Sequence, residues 1–106
     1  ADPKAIKEIF RLLDDDKDIA IFPQGTRRQD GKLGDFTKGF ASMAKKMDAD
    51  ILPVGIMVKE NPNSKKKDIQ FRVGEPISCQ LSVDEIAENW AQKVSKLAEL
   101  EYIPAT

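Results

Sequence analysis

The stretch Ile19-Ala20-Ile21-Phe22-Pro23-Gln24-Gly25-Thr26-Arg27-Arg28 decides how the chain is read. Its first four residues are apolar and Pro23 stops them, which predicts a short strand buried on both faces. Residues 23 to 36 lack any apolar period and contain Gly25, Gly31 and Gly34, so a long loop leaves the carboxyl end of that strand. Loops beyond about a dozen residues in compact domains tend to be functional or disordered. Beyond it, Phe40, Met43, Ala44 and Met47 share one helical face, with Thr37 as the expected N-cap. Gly39 in the first turn is a mild fault, costing about 1 kcal/mol relative to Ala. Ile51 to Val58 reads as a second strand, with Pro53 expected near its start or at a bulge because proline lacks a ladder donor. Strand, helix and strand make a right-handed βαβ unit. Open α/β sheets bind ligands where their strands end, which narrows the functional search to residues 23 to 39.

Working outward, Ile6, Ile9, Phe10 and Leu13 fall at helical spacing after the start signal Asp2-Pro3. Asp14, Asp15 and Asp16 oppose the dipole of a helix end and are expected in the turn beyond it. Asn61-Pro62-Asn63-Ser64 centres a turn, and Asp68 to Glu75 alternates Ile69, Phe71 and Val73 with polar residues as a half-buried strand does. Ser82-Val83-Asp84-Glu85 is a capping box, followed by a stripe of Ile86, Trp90, Val94, Leu97 and Glu101. The expected order is α, β, loop, α, β, β, α.

Composition bounds the function. The 106 residues are 41% hydrophobic and 33% charged, a globular balance. A net charge of -1 argues against a dedicated nucleic-acid binder. Cys79 is the single cysteine, which excludes a disulfide framework and a cysteine-cluster zinc site, and no metal site is expected. Histidine is absent, so these residues offer no imidazole base. With no long apolar run and no signal pattern, a soluble domain facing the cytosol is expected.

Between residues 23 and 39 the positive side chains are Arg27, Arg28, Lys32 and Lys38, against Asp30 and Asp35. Gly25 would let backbone N–H groups approach a ligand, Thr26 offers a hydroxyl, and Arg27 a planar fork for phosphate or carboxylate. The positive end of the next helix points the same way. These residues read as an oxyanion site, with phosphate the favoured ligand. They read about equally well as a solvated surface loop, and no P-loop spacing is present. Elsewhere the structural reading leads: Trp90, Met43 and Met47 as core rather than as membrane anchor or acyl groove, Lys65 to Lys67 as a solvated turn rather than a lipid contact, and Cys79 as a structural thiol.

The run Phe22-Pro23-Gln24-Gly25-Thr26-Arg27, followed by Gly31, Leu33, Phe36, Lys38-Gly39 and Ile51-Leu52-Pro53-Val54, resembles the glycerolipid acyltransferases, the 1-acyl-glycerol-3-phosphate acyltransferase family with its F-P-E-G-T-R hallmark. The resemblance implies transfer of an acyl group from a thioester, acyl-CoA or acyl carrier protein, to a hydroxyl of a glycerol-phosphate or lysophospholipid acceptor, with no bound cofactor. It assigns the acceptor phosphate to Gly25, Thr26 and Arg27, with Gln24, Arg28, Lys38 and Pro53 as supporting residues. The implied fold is α/β, a partial acyltransferase fold of one βαβ unit, a further strand and a C-terminal helix. Family catalysis uses an upstream H-x-x-x-x-D pair, which this chain lacks, and Arg11 is a poor match for the upstream arginine. Residues 1–106 are therefore expected to be a single domain or the C-terminal fragment of an acyltransferase domain, inactive alone and soluble, from a protein peripheral to the cytoplasmic face of a membrane. Gln24 stands where the family has glutamate, which removes a charge and adds a donor. A non-catalytic phosphate- or phospholipid-binding module is the alternative reading. A truncated sheet would also leave an apolar edge open to self-association.

Overall fold

The structure, a computed structural model, describes residues 3–23, 31–63 and 65–102. Its elements are α1 (Pro3–Asp14), α2 (Gly39–Lys46), β1 (Val54–Glu60), β2 (Lys67–Val73) and α3 (Val83–Leu97).

The core is organised by α3. The capping box forms as its sequence dictates: the Glu85 N–H donates to Ser82 Oγ at 3.2 Å, and the Ser82 N–H to Glu85 Oε1 at 3.3 Å. Ile86, Ala87, Trp90, Ala91 and Val94 lie at helical spacing and are buried against Leu33, Phe40, Ala41 and Ile77. Trp90 meets Phe36 edge-on at 5.0 Å and Phe40 at 5.1 Å between ring centroids, so it is a core residue.

α3 ends at Leu97, short of Glu101. Glu99 takes a left-handed φ of 54°, and the Leu100 N–H turns back to the Ser95 carbonyl at 2.7 Å. The three helices among the described residues stop in this way, at Asp16, Asp48 and Glu99, none of them the glycine that such a C-terminal turn favours. The sequence stripe therefore overran by ignoring a turn with no glycine to announce it. At α2, Lys38 rather than Thr37 occupies the N-cap, without a side-chain capping bond. Asp2, the expected cap of α1, lies outside the described residues.

β1 and β2 form an antiparallel two-stranded sheet, with Val54 opposite Val73 and Ile56 opposite Phe71. This corrects the expected βαβ unit. Ile19–Phe22 forms no strand, and Ile21 and Phe22 are 42% and 72% exposed. A short apolar run needs a neighbour for its backbone groups, and β1 takes β2 as its partner. The mixed α/β class holds. Pro53 directly precedes β1, as its missing donor requires, and its carbonyl accepts from the Gly74 N–H at 2.9 Å.

The two faces of the hairpin differ. A Cβ at Gly55 would lie 2.6 Å from Leu97 Cβ and 2.7 Å from the Ala98 nitrogen, so glycine lets β1 sit directly on the end of α3. The opposite face carries Ile69, Phe71 and Val73 at 58%, 67% and 60% exposure. The alternation expected for this strand is present, but nothing among the described residues covers its apolar side.

Candidate functional site

Ile21, Phe22 and Pro23 carry the chain along one wall of an apolar groove of about 290 Å³. Thr37, Gly39, Phe40 and Met43 of the α2 region form the facing wall, and Ile6 of α1 closes one side. Met43, expected in the core, is half-buried and lines this cleft instead, because Phe40, Ala41 and Ala44 form the buried face of α2. α1 is held loosely here: none of its residues is fully buried, and Lys46 Nζ stands 5.5 Å from the centre of the Phe10 ring.

The expected phosphate residues Gln24, Gly25, Thr26, Arg27 and Arg28 lie outside the described residues, directly after Pro23 at the groove. The supporting residues are separated. Lys38 Nζ donates to Asp84 Oδ1 at 2.6 Å, tying the start of α2 to the first turn of α3. An anion recruiting Lys38 would have to compete with that carboxylate. Pro53 is fully buried at the base of the hairpin, so it acts as packing and has no surface to offer a substrate.

Residues 31–33 are pinned by residues that sequence reasoning missed. Glu101 donates its N–H to the Gly31 carbonyl, and Leu33 donates its N–H to the Glu101 carbonyl, both at 2.8 Å. The Tyr102 ring lies 6.4 Å from Phe36, and its hydroxyl donates to Glu88 Oε2 at 2.8 Å. Burial and that neighbouring carboxylate push the tyrosine up to about 12. The signal that could have found this segment is Leu100 and Tyr102 following a helix stripe that loses its apolar character at Glu101.

Cys79 is a structural thiol. It is buried, its N–H donates to Asp50 Oδ1 at 3.0 Å, and burial with the nearby carboxylate raises its pKa, the reverse of activation. The same amide bond lowers the pKa of Asp50. Among the described residues no cluster of ligating side chains could hold a metal ion, and no helix is long and apolar enough to cross a membrane.

A buried aromatic core beside an apolar groove lined by Phe22 and Pro23 coincides with a family match. The family model described as Acyltransferase matches residues 1–57, more than half of the chain, and the chain belongs to that family. Among curated relatives it is 36% identical over 52 residues to the chloroplastic 1-acyl-sn-glycerol-3-phosphate acyltransferase LPAT1 of Arabidopsis thaliana, and 35% identical over 52 residues to the chloroplastic BAT2 enzyme of Brassica napus, in each case 49% of this chain and 15% of the relative. A 1-acyl-sn-glycerol-3-phosphate acyltransferase of Chlamydomonas reinhardtii is 29% identical over 72 residues, 68% of this chain and 22% of its own length. The chain thus spans less than a quarter of the length of these relatives. No solved structure matches it.

Proposed function

We propose that this chain supplies the acceptor-phosphate site of a glycerolipid acyltransferase in phospholipid biosynthesis. Gly25, Thr26 and Arg27 grip the phosphate of a glycerol-phosphate or lysophosphatidate acceptor, whose hydroxyl takes an acyl group from acyl-CoA or acyl carrier protein. The observation that carries this reading is the family match across residues 1–57, which contains the whole Phe22-Pro23-Gln24-Gly25-Thr26-Arg27 run. The groove beside Pro23 supports it, because the uncapped start of α2 lies there and a helix start favours anions.

With no histidine in the chain, the imidazole that removes the acceptor proton belongs to sequence outside these residues. Membrane contact then follows from the lipid substrate. A non-catalytic phosphate-binding module is the second reading, favoured by neutral Gln24 and the missing base. The discriminating experiment is acyl transfer from acyl-CoA to lysophosphatidate. The longer protein carrying this sequence is expected to turn over, with Arg27→Ala raising the acceptor KM about tenfold or more, the scale of a lost charge-assisted bond. The 106-residue chain alone is expected to be inactive. Absence of transfer by the longer protein, with phosphate binding intact, favours the module.

A further inference from the structure

We propose that the open face of the β1–β2 hairpin docks a second copy of this chain. The two faces pack about a two-fold axis between their Phe71 rings, with Lys67 of each copy against Glu75 of the other.

Contacts with α3 fix which side of the hairpin is open. Arg72 Nη1 donates to the Leu97 carbonyl at 3.4 Å, and a Cβ at Gly55 or Gly74 would run into Leu97. Alternation therefore turns residues 67, 69, 71, 73 and 75 away from α3, together with Val54, Ile56 and Val58 across the ladder. Along that side the chain presents Lys67, Ile69, Phe71, Val73 and Glu75, all exposed. The order is symmetric about Phe71 in its apolar positions and opposite in charge at its two ends. Reversed over a second copy, Ile69 meets Val73, Phe71 meets Phe71 and Lys67 meets Glu75, the aligned packing of two sheets. The apolar side chains expose roughly 500 Å² per copy, so pairing buries about 1,000 Å² before the polar rim is counted, the size of a weak but specific interface. Lys59, Lys65, Lys66 and Lys67 gather at the hairpin tip, and the reversed arrangement keeps the two tips apart where a parallel one would bring them together. Glu60 lies opposite Lys67 on the same face, and with Glu75 it makes that face a poor match for an anionic lipid surface.

Sedimentation equilibrium of the 106-residue chain is expected to show a monomer–dimer equilibrium with a Kd of about 10–100 μM. At a few micromolar the chain is then mostly monomeric, and folding stability measured there is that of a single copy. Phe71→Ser is expected to weaken pairing about tenfold or more, and Lys67→Glu or Glu75→Lys about fivefold each. The double variant with Lys67→Glu and Glu75→Lys restores opposite charges across the axis and is expected to return to within about twofold of the parent chain. A parent chain that stays monomeric up to about 500 μM, or a double variant no better than the single ones, overturns the proposal. Two other results also overturn it. A monomeric chain that co-sediments with phosphatidylglycerol vesicles, and no longer does so in Phe71→Ser, gives the face to lipid. A longer protein carrying this sequence that stays monomeric while the chain dimerises gives the face to that protein's own remaining residues.

Discussion

The Tyr102 hydroxyl donates to Glu88 Oε2 at 2.8 Å, tying the C-terminal segment to the middle of α3. Burial and the carboxylate hold this phenol at about 12 in the folded chain, against about 10 when unfolded. A raised folded value contributes stability that is fully present below pH ~10. Between ~10 and 12 the unfolded state gives up the proton first, so stability falls as pH rises. Chemical denaturation of the intact chain and Tyr102→Phe across that window is expected to show the steeper loss in the intact chain. Parallel curves would contradict the assignment.

Gly55→Ala should be among the more damaging small substitutions. The new methyl meets the Leu97 Cβ at 2.6 Å and backbone atoms at 2.7 Å, neither of which can rotate away. Overpacking of this kind costs about 1–3 kcal/mol, and the upper end is expected because the clash is with a helix terminus. Urea denaturation would report a lowered midpoint. Unchanged stability would mean that the hairpin does not sit directly on α3.

The two ends of α3 offer changes of opposite sign. Ser82→Ala removes the cap to Glu85 and is expected to cost about 1 kcal/mol. Glu99→Gly relieves a left-handed non-glycine residue and is expected to stabilise by about 0.5–1 kcal/mol, with little lost from the exposed 3.7 Å contact of Glu99 with Arg72. Thermal unfolding of the two variants should bracket the parent chain.

Phe71 is two-thirds exposed on the uncovered hairpin face, so in the 106-residue chain Phe71→Lys should change stability by less than about 0.5 kcal/mol. It should also lower concentration-dependent light scattering, since a contiguous apolar face favours association. A loss of several kcal/mol would show that the ring is covered in solution.

Signals carried by adjacent residues were legible in sequence. The Ser82 to Glu85 capping box and the Ile86, Trp90, Val94 stripe depend on a few neighbouring positions, and both formed. Features that depend on a distant partner were not. Ile19–Phe22 reads locally as a strand, but a strand exists only with a ladder partner, and β1 pairs with β2. Alternation in Ile69, Phe71 and Val73 identifies a face without saying what lies over it. Lys38 looked available because its partner, Asp84, is 46 residues away. Pro53 marked the start of β1 correctly, yet its burial under the hairpin depends on Gly74. The family was legible as a motif, while the residues expected to bind phosphate, Gly25, Thr26 and Arg27, fall outside the described residues.

The central claim is that the stretch after Pro23 holds an acceptor phosphate through Arg27. Calorimetric titration of glycerol 3-phosphate into the chain and into Arg27→Ala, at low ionic strength, tests it most directly. Saturable binding that weakens at least about tenfold in Arg27→Ala is the predicted result. Equal affinity in the two proteins, or no binding by either, would contradict it.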